Sequence, residues 1–228
     1  MILDPDNQYI QAINSQIPLA GATVLEIGCG EGRITRDMAK YATRIVATDL
    51  NLAALEQAKK NTTAKNIEFL YSSDGIPDFP KNSFDTAIYT LSLHHIPKNK
   101  MVDNLCRSGS LLKNGGKIVV VEPGDGGSFM ELKKRFGVGS GDESQERLDA
   151  IAAMQNFEGW TLFPTYHFEV AFQFADENDF FSNKVPNGSK MATEEIAELK
   201  KYLKKSSTDR GIILTSARRL NLLTQKVF

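Results

Sequence analysis

The chain has 228 residues, 41% of them hydrophobic and 24% charged, with a net charge of −1. That is the profile of an ordinary globular protein with room for a sizeable core, and it lacks the strongly basic footprint of a dedicated nucleic-acid binder. No apolar run approaches the roughly 20 residues of a membrane helix, Met1–Asp6 does not resemble a secretory leader, and Cys29 and Cys106 cannot make a disulfide framework, so a reduced cytoplasmic setting is expected.

In chain order, residues 1–19 are expected to carry a helix whose Tyr9 and Ile10 serve as a lid. Short β-branched runs then alternate with helical patterns. Thr23–Ile27 predicts a strand and Arg33–Lys40 the start of a helix. Arg44–Thr48 predicts a second strand, followed by a helix over Asn51–Asn61 with Asn51 as its N-cap. Ile67–Ser72 and Phe84–Tyr89 supply two more strands. Met101–Leu112 predicts a helix that stops at Asn114-Gly115-Gly116, and Lys117–Glu122 a fifth strand. Strands spaced by helices mean βαβ units, and hence a parallel sheet covered on both faces.

Beyond Gly124 the rhythm changes. Ser128-Phe129-Met130-Glu131 reads as a capping box opening a helix. A second helix starts at Asp142, with Leu148, Ile151 and Ala152 on one side. Trp160–Phe174 reads as one strand, alternating Phe168, Val170 and Phe172 against His167, Glu169 and Ala171. Ile196, Leu199 and Leu203 mark an amphipathic helix, and Gly211–Leu214 and Arg219–Val227 close the chain as strands. The tail therefore adds two long strands and about three helices, too little for an independent core.

Chemistry concentrates in Val24-Leu25-Glu26-Ile27-Gly28-Cys29-Gly30-Glu31-Gly32, a buried strand running through three alternating glycines into a helix. Glycines permit the tight turn and a close backbone approach to a ligand, and the helix N-terminus offers free N–H groups to an anion. Arg33 stands where a dinucleotide-binding G-x-G-x-x-G needs its third glycine, and no G-K-[ST] follows. Glu26 at the strand end would repel a pyrophosphate but suits an ammonium. A ligand with a carboxylate for the helix and an ammonium for Glu26 fits the amino-acid end of S-adenosylmethionine. Asp49, 17 residues after Gly32, closes the second strand, where a carboxylate can accept from both ribose hydroxyls; helix capping is the alternative. Asp74 of Ser73-Asp74-Gly75 can accept from an adenine amino group or serve as a plain turn aspartate, while Leu50 and Ile76 can sandwich the adenine or belong to the core.

Glu26–Gly32, Asp49, Ser73-Asp74, Phe84-Asp85-Thr86-Ala87-Ile88-Tyr89 with Leu93-His94-His95-Ile96, and Leu112-Lys113-Asn114-Gly115-Gly116-Lys117 together resemble the successive motifs of class I S-adenosylmethionine-dependent methyltransferases. The nearest flavour is the small-molecule branch that includes ubiquinone and menaquinone biosynthesis enzymes. The resemblance covers roughly residues 20–123. It implies a Rossmann-like α/β fold with a seven-stranded, mostly parallel sheet of order 3-2-1-4-5-7-6. It also implies one methyltransferase domain over 1–228, with a cofactor-binding half at 20–125 and an acceptor-side half at 126–228. On the family pattern Glu26, Gly28, Gly30, Asp49, Leu50, Asp74 and Gly75 fall on cofactor-contacting positions, Cys29, Gly32 and Ser73 lie within the same turns, and Thr90 and Leu91 lie near the methyl donor. S-adenosylhomocysteine would be the product, and no metal is expected, since His94, His95 and His167 lack ligand spacing.

Tyr89-Thr90-Leu91-Ser92 departs from the [N/D/S]-P-P-[Y/F] segment of amino-methylating nucleic-acid enzymes. His94 is the candidate general base, with packing as its alternative role. Residues 157–181 hold seven Phe with Trp160 and Tyr166, either an acceptor pocket for an apolar or planar metabolite or an ordinary packed strand and helix. Residues 142–198 carry 12 acids against 3 bases, and 200–228 carry 8 bases against Asp209 alone. That swing reads as solvated faces, or as a basic docking patch that would suit an RNA methyltransferase. A non-catalytic cofactor-binding protein is the remaining alternative.

Overall fold

The structure is a computed structural model and describes residues 1–139, 141–185 and 191–226. Its strands are β1 (Ile2–Leu3), β2 (Thr23–Ile27), β3 (Arg44–Asp49), β4 (Ile67–Tyr71), β5 (Phe84–Thr90), β6 (Leu112–Pro123), β7 (Trp160–Leu162), β8 (Tyr166–Phe174), β9 (Ser207–Thr208) and β10 (Gly211–Gln225). Its helices are α1 (Gln8–Gln16), α2 (Arg33–Met38), α3 (Leu52–Lys60), α4 (Lys98–Ser110), α5 (Ser128–Phe136), α6 (Ser144–Gln155), α7 (Glu177–Lys184) and α8 (Thr193–Lys205). None of the described helices is long and apolar enough to cross a membrane. The described residues fall into two compact units: a larger one drawn from Tyr9–Glu122, Ser144–Tyr166 and the segment from Arg219 onward, and a smaller one of Met1–Gln8, Pro123–Glu143 and His167–Arg218.

In the larger unit the strand order is β4-β3-β2-β5-β6, with the second half of β10 next, corresponding to 3-2-1-4-5-7 of the expected order. The pairs β2–β3, β2–β5, β3–β4 and β5–β6 are all parallel. Parallel pairing sends every strand's C-terminal end to one edge, where the loops that can bind a ligand gather. Leu25, Ile27, Val46, Phe84, Ala87, Tyr89, Ile118 and Val120 fill the core beneath that edge. Asn51 caps α3 as expected, its Oδ1 accepting from Ala53 N and Ala54 N at 3.0 and 3.2 Å.

Two expected boundaries move. The helix expected over Met101–Leu112 runs instead over Lys98–Ser110, and Asn114-Gly115-Gly116 lies inside β6 rather than ending a helix. Leu111 O takes the peptide N–H groups of Ser83 and Phe84, which draws the chain into the sheet, and a register shift carries the pairing from Phe84↔Leu112 to Thr86↔Lys117. The helix expected from Asp142 starts at Ser144 and buries Ala150, Ala153 and Met154, an i, i+3, i+4 stripe, rather than Leu148, which is exposed. That stripe joins the core that Met101 and Leu105 of α4 also enter.

In the smaller unit β1 pairs antiparallel with β8, β8 neighbours the first half of β10, and β9 pairs antiparallel with β10. This unit has a core of its own, made by Phe129, Leu132, Phe172, Phe174, Phe180, Leu199, Leu203, Ile212 and Leu214. The single strand expected over Trp160–Phe174 is two, β7 and β8, broken around Pro164, which cannot donate to a ladder. The closing strands expected at Gly211–Leu214 and Arg219–Val227 form one strand, β10; Val227 lies outside the described residues. Ser216 and Arg218 occupy buried positions of its alternation, so their polarity interrupts the apolar pattern without ending the strand. Ser128 does not form the expected capping box: Gly127 is the N-cap, and Ser128 Oγ accepts from Thr215 N at 2.8 Å. The tail contributes four described helices, α5 to α8, rather than about three.

Candidate active site

The glycine turn follows β2 directly. Gly28, Gly30 and Gly32 all have positive φ (76°, 55° and 72°), a region that favours glycine. At Gly28 a side chain is also excluded by space, since a Cβ there would stand 2.5 Å from Ser92 Cβ. Ser92 is held in turn by its hydroxyl, which donates to Ile27 O at 2.5 Å, so the loops after β2 and β5 are pinned together. A Cβ at Gly30 would meet nothing within 4 Å, which leaves its backbone open to a ligand.

Gly30 N donates to Asp49 Oδ2 at 2.7 Å, and Asn51 N donates to Asp49 Oδ1 at 2.8 Å. The carboxylate at the end of β3 therefore organises the turn after β2. Cys29, inside the turn, is half-buried; burial first, then the charges of Glu26 and Asp49, push its thiol pKa far up, so it is a poor nucleophile. Glu26 is only 1% exposed, and its Oε2 accepts from Thr35 Oγ1 at 2.5 Å. Burial pushes its pKa up to about 7 against the opposing hydrogen bond from Thr35 and the charge of Arg33. The guanidinium of Arg33 lies 4.9 Å from the centroid of the Tyr9 ring, and Tyr9 and Ile10 are both buried.

Ser73, Asp74 and Gly75 follow β4. Asp74 Oδ1 accepts from Ser72 Oγ and Ile76 N at 3.1 Å each, and its Oδ2 pairs with Arg107 of α4. Partial burial alone would raise the Asp74 pKa, but the Arg107 hydrogen bond and the turn's donors outweigh it and hold the carboxyl below its usual range. Thr48 ties this turn down by donating to Gly75 O at 2.6 Å. Leu50 is 67% exposed beside Asp49, whereas Ile76 is core.

At the end of β5, Thr90 Oγ1 is buried with no hydrogen-bond partner among the described residues. Leu91 has φ 58°, a strained value for a leucine, and its N–H donates to Val121 O at 2.7 Å. His94 is 3% exposed; its Nδ1 bonds Glu122 Oε2, and its peptide N donates to Glu122 Oε1 at 3.3 Å. A carboxylate at Nδ1 fixes the proton there and leaves the lone pair on Nε2. Sequence reasoning missed Ser92, Thr48, Arg107 and Glu122. Of these, Thr48 and Glu122 ended strands already in view, and nothing local marked them as the partners of Gly75 and His94.

Residues 24–116 match the family model for the methyltransferase domain. A ubiquinone biosynthesis O-methyltransferase of Xanthomonas euvesicatoria is 30% identical over 112 residues, which cover 48% of this chain and 46% of that one. An uncharacterized methyltransferase of Mycobacterium tuberculosis is 27% identical over 113 residues, covering 50% and 56%. The matched region thus spans about half the length of these curated relatives. Among solved structures, a Bacillus halodurans protein assigned as a methyltransferase superposes with TM-score 0.58 at 18% identity, over 95% of this chain and 98% of that one. An S-adenosylmethionine-dependent methyltransferase of Mesorhizobium loti gives 0.50 at 15%, over 92% and 96%. The chain has the Rossmann-like methyltransferase fold. In this fold the larger unit gathers the glycine turn after β2, the acidic end of β3 and the loop after β5, as Gly28–Gly32, Asp49 and Thr90–His94.

Proposed function

We propose that the protein transfers the methyl group of S-adenosylmethionine to an O, N or C atom of a small apolar or planar metabolite. The observation that carries this reading is the glycine turn itself: backbone left open at Gly30, with the Asp49 carboxylate fastened to it at 2.7 Å. Two further features fit the cofactor. Thr90 Oγ1 is a buried hydroxyl lacking a partner among the described residues, and Glu26 is a buried carboxyl that an arriving ammonium would ionise.

On this reading the amino-acid end of the cofactor lies against Gly28, Cys29, Gly30 and Gly32 with Glu26 beneath it. Asp49 accepts from the ribose hydroxyls, Leu50 covers the base, and Ser73, Asp74 and Gly75 border its amino edge. Thr90 and Leu91 bound the space beside the sulfur. When bound, the cofactor supplies a methyl group on a sulfonium, already activated for displacement, so the chain's residues need chiefly to align the acceptor and exclude water. His94, held by Glu122, accepts the acceptor's proton at Nε2. Residues 1–228 act on this reading as one methyltransferase domain. Incubation with methyl-labelled S-adenosylmethionine and a panel of phenols, amines and quinol-type acceptors tests it. Label transferred to a small acceptor supports the proposal, whereas transfer to RNA alone, or cofactor binding without transfer to any acceptor, overturns it.

A further inference from the structure

Helix α4 holds Asp74 at two points, and the methyl-transfer reading uses neither. Three residues apart on that helix, Asn104 donates from Nδ2 to the Asp74 carbonyl at 2.7 Å, and Arg107 pairs with the Asp74 carboxylate. Side chains at i and i+3 share one helix face, so a single rigid element fixes both the peptide and the side chain of this residue.

Asn104 is buried, a costly place for an amide unless its groups are met. They are met here: Oδ1 accepts from Tyr89 Oη at 2.7 Å, and Tyr89 Oη lies 3.0 Å from Ser108 Oγ. A carbonyl can only accept, so Asp74 O fixes which end of the amide faces the turn. The chain Asp74–Asn104–Tyr89 thereby ties the turn after β4 to β5, one residue before Thr90. An apolar residue at 104 would bury with no polar group to satisfy, so packing alone does not call for an asparagine.

The carboxylate itself is nearly used up. Each of its oxygens offers about two acceptor positions. Ser72 Oγ and Ile76 N fill those on Oδ1, and Arg107 takes one on Oδ2, which leaves one position open on a group whose direction is set. Partial burial opposes ionisation of Asp74, but the Arg107 hydrogen bond and the turn's donors outweigh it. An ionised carboxylate only accepts, so the open position selects a donor.

We propose that Arg107 and Asn104 are positioning residues for base recognition: acting through Asp74, they aim its open acceptor position at the 6-amino group of the cofactor's adenine. The proposal rests on the reading that seats the base at the Ser73–Gly75 turn. The test compares the affinity of S-adenosylhomocysteine with that of its 6-deamino analogue, in which purine replaces adenine, for wild type, Arg107→Met, Arg107→Lys and Asn104→Ala. The wild type should prefer the amino-bearing ligand by about tenfold or more, as for a hydrogen bond to a charged group. The preference should shrink to about threefold or less in Arg107→Met and Asn104→Ala, and be partly restored in Arg107→Lys. The analogue's own affinity should barely change, whereas a merely structural loss would weaken both ligands alike. Arg107 is exposed, so Arg107→Met carries the test if Asn104→Ala does not fold. An unchanged preference in Arg107→Met, an equal loss for both ligands, or no preference in the wild type overturns the proposal and leaves methyl transfer standing. No binding of S-adenosylhomocysteine by the wild type overturns the methyl-transfer reading and this proposal with it.

Discussion

The peptide N–H of Gly30 donates to Asp49 Oδ2 at 2.7 Å, across 19 residues of sequence. A carboxylate proposed to hold ribose hydroxyls is therefore also the strut that shapes the turn facing them. Asp49→Ala should lower the unfolding free energy of the ligand-free protein by about 1–3 kcal/mol, because two amides lose a charged acceptor. Urea unfolding measures this. An unchanged midpoint and slope would show that the strut carries no stability.

Gly28 and Gly30 should respond differently to alanine. At Gly28 the added Cβ meets Ser92 Cβ at 2.5 Å, so strain and overpacking together should cost about 2–4 kcal/mol. At Gly30 the space is open and only the positive φ is penalised, at about 1–2 kcal/mol. Gly30→Ala should still weaken S-adenosylhomocysteine sharply, since the new methyl occupies ligand space. Thermal melts and calorimetry on the two variants separate the effects, and equal stability losses would contradict the geometry.

Glu26 links the site to pH. Its pKa is about 7 in the folded protein against 4.5 for a free carboxyl, so the folded state takes up a proton between those values. The cost of its charge is absent below about pH 4.5, grows as pH rises, and is complete above about pH 7, where it reaches about 3 kcal/mol. Glu26→Gln, whose amide oxygen still accepts from Thr35, escapes that cost. Its stability relative to wild type should rise between pH 4.5 and 8 while affinity for the ammonium-bearing ligand falls. In the wild type that affinity should drop as pH falls below 7, since the carboxyl must then release a proton. A stability difference independent of pH would contradict the assignment.

His94 and Glu122 make a third test. Glu122→Gln keeps an acceptor for the His94 peptide N–H but turns an amide N–H toward Nδ1. The imidazole should then switch its proton to Nε2 and lose the lone pair there. Nitrogen chemical shifts of His94 should show the tautomer change with the fold intact, and turnover should fall with little change in KM. An unchanged tautomer, or full activity in the variant, would assign the pair to packing.

How far the sequence discloses this site depends on the range of the interactions. The β2 strand, the glycine turn and the Asn51 cap are written in adjacent residues, so pattern alone finds them. The struts are not: Ser92 against Gly28, Thr48 beneath Gly75 and Glu122 on His94 join segments that only strand pairing brings together. The tail was harder for a related reason. Arg218 and Ser216 fill buried positions of β10, and Ala150 and Ala153 bury a face that hydrophobicity would assign to Leu148. There, packing partners decide burial against the local apolar pattern.

The most direct test of the central claim is calorimetric titration of the purified chain with S-adenosylhomocysteine, wild type against Asp49→Ala. One saturable site in the wild type is expected, with affinity lower in the variant by about tenfold or more, the equivalent of a charge-assisted contact worth about 1.5–3 kcal/mol. Absence of binding by the wild type, or equal affinity in a folded Asp49→Ala protein, would contradict it.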